Sequence, residues 1–115
     1  MNKSILLVGV PPEAQIAERL YRLLQPVGRV TLAQGNEYDD QEYAMVIFNA
    51  ATIKNINNEV DRVMLEQPKA SVFILTASPT FQRARSAVRK GVQYIDKSLT
   101  DEEINKVFRN AMRTT

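Results

Sequence analysis

Five short apolar runs recur along the chain, and most of the stretches between them repeat their apolar positions every three or four residues. The runs are Ser4-Ile5-Leu6-Leu7-Val8, residues 30–32, Ala44-Met45-Val46-Ile47-Phe48, residues 71–76 and residues 93–95. Runs this short, bounded by polar or turn residues, predict strands, and the most continuous of them suit a sheet covered on both faces. Between the first two, Ile16, Leu20, Leu23 and Leu24 recur at helical spacing. Pro12 suits the first turn of that helix, and Pro26 with Gly28 stops it. Residues 34–43 are polar and acidic, with room for about two turns of a second helix. Ile53, Ile56, Val60 and Val63 mark the core face of a third helix, which ends by Pro68.

Ser78-Pro79 predicts the cap and first turn of a fourth helix, with Phe81, Ala84 and Val88 as its buried stripe and Gly91 closing it. Thr100-Asp101-Glu102-Glu103 is a capping box that opens a fifth helix burying Ile104, Val107, Phe108 and Ala111. Strand and helix thus alternate five times. The expected fold is α/β: a (βα)₅ flavodoxin-like three-layer sandwich with a parallel five-stranded sheet of order 2-1-3-4-5. No linker, repeat or low-complexity segment divides the chain, so residues 1–115 read as one domain. A ligand of such a fold lies beyond the carboxyl ends of strands one and three, where strand order reverses. In this chain those ends are Gly9-Val10 and Asn49.

Composition narrows the chemistry. Hydrophobic residues at 44% and charged residues at 24% are ordinary for a soluble globular protein. The chain has neither Cys nor His, which removes disulfides, thiolate metal sites and the commonest general base. No apolar run approaches the roughly 20 residues that span a bilayer, and Met1-Asn2-Lys3 leads straight into a strand pattern. A cytoplasmic protein with no membrane association is expected. The net charge of +2 is small, but Arg83, Arg85, Arg89, Lys90 and Lys97 face only Asp96 between positions 81 and 97, a local basic patch.

Three segments carry a resemblance. Ile5-Leu6-Leu7-Val8, Val72-Phe73-Ile74-Leu75-Thr76-Ala77 and Gly91-Val92-Gln93-Tyr94-Ile95-Asp96-Lys97 resemble the first, fourth and fifth strands of the receiver domain of two-component response regulators. The likeness extends over essentially the whole chain. It implies a phosphorelay signalling fold in which Thr76, Tyr94 and Lys97 stand at the switch and pocket positions. The departures are equally specific. The two acidic Mg²⁺-binding positions are Gly9 and Val10, and the phosphoacceptor-equivalent position is Asn49. Ile53 and Asn57 replace the usual loop Pro and Gly, and Ser98 replaces the proline after the lysine.

Mg²⁺ needs hard oxygen ligands, normally carboxylates, and an amide is no nucleophile toward phosphorus. The resemblance therefore points to a degenerate pseudo-receiver with no catalytic residue, bound metal or cofactor. Such a domain would act by protein–protein interaction. The expected partner face comprises the fourth helix, fifth strand and fifth helix, with Arg85, Arg89, Tyr94 and Lys106, and a homodimer is open. The alternative is a nucleic-acid-binding regulatory domain using the basic fourth helix. An enzyme of similar fold is disfavoured by the missing His, Cys and clustered acids. Thr76 also reads as a plain strand-end residue and Tyr94 as packing. Lys97 reads equally as a surviving functional residue or as a snorkelling lysine. In a pocket turned from cation-binding to neutral or anion-binding it has three arrangements open: a hydrogen bond to the Asn49 side-chain oxygen, which is the one expected, with Glu13 the nearest sequence-local acid; a swing into solvent; or an anion held together with helix N-terminal amides. The Lys97–Ser98 bond is expected to be trans, and Asn49→Asp to restore part of a cation preference.

Overall fold

The structure, a computed structural model, describes residues 4–10, 15–33, 41–50, 53, 56–76, 92–96 and 100–113. In chain order these form β1 (Ser4–Val8), α1 (Gln15–Leu24), β2 (Arg29–Ala33), β3 (Met45–Asn49), α2 (Ile56–Glu66), β4 (Ser71–Thr76), β5 (Val92–Asp96) and α3 (Asp101–Arg113). The five strands make one sheet of order β2-β1-β3-β4-β5, every pair parallel. The expected topology is therefore the one observed. The fourth helix expected after Ser78 lies outside the described residues, as do Pro12, Arg85, Arg89, Lys97 and Ser98.

Period-two alternation explains why the strands read as unbroken apolar runs. In β1, Ile5 and Leu7 enter one core, while Leu6 and Val8 enter the other. The first core gathers Met45, Ile47, Phe73, Leu75 and Ile95 under α1 and α3. There Phe73 meets Phe108 edge to face, with ring centroids 5.5 Å apart and planes at 84°. The second core gathers Val46, Phe48, Val72, Ile74 and Val92 under Val60 and Val63 of α2. In α1 the buried positions are Ala17, Leu20 and Leu24, with Ile16 and Leu23 partly buried at their flank.

The boundaries differ from the sequence pattern in informative places. Strands β2 and β5 each extend one residue further at both ends than the apolar pattern, because ladder pairing continues through Arg29, Ala33, Val92 and Asp96. Strand β3 runs over Met45–Asn49, not 44–48, so Asn49 belongs to the ladder opposite Leu75. Of the segment 34–43, expected to hold a helix, only Gln41, Glu42 and Tyr43 are described, and they are irregular; the rest of that expectation lies outside the described residues. Tyr43 is instead a fully buried core residue, 1% exposed. Ile53 precedes α2 yet still packs on the second core.

Gln67, just after α2, makes that irregular lead-in possible. Its Oε1 accepts from Tyr43 N–H at 3.0 Å, and its Nε2 donates to the Gln41 carbonyl at 3.0 Å. One buried amide thus serves a backbone donor and a backbone acceptor of a segment with no ladder of its own. A second tie joins the first and last helices. Thr100 and Glu103 form the expected capping box, with Glu103 N–H donating to Thr100 Oγ1 at 3.2 Å and Thr100 N–H to Glu103 Oε1 at 3.1 Å. The cap sets Asp101 in the first turn of α3. There it accepts from Arg19 Nε and, at 2.7 Å, from an Arg22 guanidinium nitrogen of α1. The Arg19 hydrogen bond, followed by the Arg19 and Arg22 charges, holds the Asp101 carboxyl below its ordinary value against the opposing effect of desolvation.

Two outcomes are expected. Gln67→Ala leaves the buried Tyr43 N–H without its acceptor and destabilises the fold by about 1–3 kcal/mol, read in denaturant melts. For Asp101, the folded-state pKa lies below that of the unfolded chain. Its contribution is present above the ordinary carboxylate value of about 4 and is lost as pH falls through the folded value. Asp101→Asn therefore lowers Tm at pH 7, and the gap from the parent closes as thermal melts are repeated at increasingly acidic pH.

Candidate functional site

The carboxyl ends of β1, β3 and β4 bring Gly9, Val10, Asn49 and Thr76 to one edge of the sheet. Here the chain leaves β1 for α1 on one face and leaves β3 toward α2 on the other, the switch point at which folds of this strand order have their ligand crevice.

Gly9 turns the chain out of β1 with φ 74°, in the left-handed region that residues bearing a Cβ avoid. Glycine takes this conformation without steric cost, whereas among residues bearing a Cβ only Asn and Asp adopt it with any regularity. Val10 then drops into the first core beside Ala17 and Leu20 and is only 3% exposed. Its side chain is structural filling for the α1 side of the sheet. Neither residue after β1 offers the crevice a charge.

Asn49 is 3% exposed, and its Nδ2 donates to the Gly9 carbonyl at 3.1 Å. Beside it, Ala50 N–H donates to the Leu75 carbonyl at 3.0 Å, continuing the bond to β4 past the end of β3. The crevice floor is therefore laced from β1 through β3 to β4 by hydrogen bonds of the protein itself. Strand alternation puts Asn49 on the side of Met45 and Ile47, and Thr76 on the side of Val72 and Ile74. Thr76, 6% exposed, borders the crevice opposite Asp96 in the β4–β5 register. Lys97, expected to reach Asn49, lies outside the described residues, as does Glu13.

Of the residues expected on a partner face, Arg85 and Arg89 lie outside the described residues, and the other two, Tyr94 and Lys106, belong to different layers. Tyr94 is half-buried against the second core, next to Ile74 in register. Lys106 is exposed on α3, which covers the first core. The residues that sequence reasoning missed are Tyr43, Gln67 and Asp101, all structural. Only Asp101 had a local signal, as the residue after the cap of an acidic first turn. Among the described residues, no group of three or more His, Cys, Asp or Glu could hold a metal ion. No helix among them is long and apolar enough to cross a membrane.

No family model matches the sequence, and no curated protein matches it. Solved structures do resemble it. A response regulator from Thermotoga maritima superposes with a TM-score of 0.79 at 16% identity, covering 98% of this chain and 99% of its own. A response regulator receiver domain protein from Clostridium thermocellum gives a TM-score of 0.77 at 20% identity, over 97% and 95% of the two chains. A protein described as an adenylate cyclase from Rhodopirellula baltica gives 0.76 at 18% identity, over 98% and 89%. At such identities the likeness is one of fold. The chain has the fold of response regulator receiver domains over nearly its whole length.

Proposed function

We propose that this chain is a receiver-like regulatory domain of the two-component signalling type that works without phosphorylation, as a cytoplasmic, non-enzymatic protein-interaction module. The fold supports the general class. The observation that carries the finer reading is the buried Asn49 amide, whose Nδ2 donates to Gly9 O at the switch point. An amide nitrogen, its lone pair delocalised into the carbonyl, is no nucleophile toward phosphorus, and the side chain brings no negative charge to a cation. The two preceding candidates for that charge are a left-handed glycine and a core valine.

Signal output then depends on binding rather than on a covalent mark. The surface around β5 suits that role. It is an edge strand whose outer backbone groups have no strand neighbour among the described residues, with Gln93 exposed on it and Lys106 exposed on the adjoining α3. Arg85 and Arg89 add positive charge from the sequence segment just before β5. A protein partner with an acidic surface matches this composition. The same arginines are the basis of the nucleic-acid alternative, which differs in its salt response. Phosphate contacts give a steep fall of log affinity with log salt, and a mixed protein interface a shallow one.

Incubation of the purified chain with acetyl phosphate and Mg²⁺, followed by intact-mass measurement, is expected to show no phosphoryl adduct. An adduct mapping to the peptide that contains Asn49 overturns the reading.

A further inference from the structure

We infer that the outer edge of β2 is a pairing surface for a second copy of this chain, joined antiparallel about a two-fold axis at Thr31. The sheet ends on one side in β2 and on the other in β5. β2 pairs with β1 residue for residue, from Ser4↔Arg29 to Val8↔Ala33, and its outer backbone groups have no strand neighbour among the described residues. Sheet edges are commonly guarded by a bulge, a proline or lysines. The register of β2 has no bulge, and Arg-Val-Thr-Leu-Ala holds neither proline nor lysine. Its side chains are also incompletely covered. Val30 and Leu32 are half-buried at the rim of the first core, together with Val27, and Thr31 is half-buried on the opposite face.

A second copy fits this edge because β2 reads alike in both directions. With Thr31 opposite its own copy, Val30 of each chain meets Leu32 of the other, and Arg29 meets Ala33. Directly opposite residues share a face, so both pairs of Val30 and Leu32 gather into one apolar cluster that continues the first core across the axis. A slip of one residue sets Val30 against Thr31 and turns the apolar set of one copy to the wrong face. The same axis separates the strand's charges. Arg29 and its copy lie four positions apart along the pair, about 13 Å, beyond the Debye length of about 8 Å at physiological salt.

β5 fails this comparison. Paired with itself along its whole length about Tyr94, it sets exposed Gln93 against buried Ile95, and Val92 against Asp96. The β5 side suits a foreign surface, whereas the β2 side suits itself. A strand of five residues gives a small interface, so the dimer is weak, with a dissociation constant on the order of 100 μM.

Sedimentation of the purified chain from micromolar to millimolar concentration is expected to show a reversible monomer–dimer equilibrium. Because Thr31 meets its own copy, a charge placed there repels itself. Thr31→Lys and Thr31→Glu alone are each expected to weaken dimerisation by about tenfold or more at low salt, and an equimolar mixture of the two to restore it. Should either variant fail to fold by circular dichroism, amide hydrogen exchange of the parent replaces it. Amides of β2 then gain protection between dilute and concentrated samples, and those of β5 do not. A parent that stays monomeric at millimolar concentration, its β2 edge then left for a foreign strand, overturns the inference. So does a dimer indifferent to Thr31→Lys, a mixture that stays monomeric, or concentration-dependent protection in β5 instead of β2. None of these results bears on phosphoryl transfer from acetyl phosphate, so the two readings fail separately.

Discussion

A parallel sheet has to be covered on both faces, and that requirement organises everything else in this molecule. Each strand interior is committed to two cores at once, with successive residues of β1, β3 and β4 sent to opposite sides. No position inside those strands is left over for chemistry. Polar function is displaced to the strand ends, where the ladder stops and the chain must turn. The two edges of the sheet then take different work. At the amino edge, Gln67 holds the lead-in to β3, and Ala44 N–H donates to Ser4 O at 2.8 Å. At the carboxyl edge, Gly9, Asn49 and Thr76 surround the place where the strand order reverses.

What could be read from the sequence follows the range of the interactions involved. β1 and β4 were legible to the residue, because their apolar runs end abruptly at Gly9 and after Thr76. The capping box was legible because Thr100 and Glu103 are three residues apart. The Asn49 boundary was misplaced because a polar residue after an apolar run looks like a terminator, whereas the ladder to β4 continues through it. Tyr43 and Gln67 are 24 positions apart, and Arg19 and Asp101 are 82 apart. No periodicity or local motif encodes partners at those separations; they exist only once the sheet has brought the segments together.

The site was legible as a set of missing acids, and the structure adds the reasons for what stands in their place. Asn49 is an anchored hydrogen-bond donor, Gly9 a turn in a left-handed conformation that suits glycine and Val10 a piece of the core. The three positions have been absorbed into the scaffold. Reversal of the lost chemistry is therefore unequal among them. A side chain at Gly9 has to adopt a left-handed φ, which Asp tolerates better than most residues, and a charge at Val10 meets the core, while position 49 changes character by a single isosteric atom.

The Gln67 amide has a consequence for how the fold opens. It ties the loop before β3 to the residue that follows α2, so fraying at the end of that helix also withdraws the hydrogen bonds of Gln41 and Tyr43. Tyr43 is a buried member of the second core, so its release would uncover apolar surface shared with Val46, Val60 and Val63. The helix end, the loop and the start of β3 therefore form one cooperative unit in native-state hydrogen exchange, despite being separate in sequence. That unit lies at the opposite edge of the sheet from Gly9, Asn49 and Thr76.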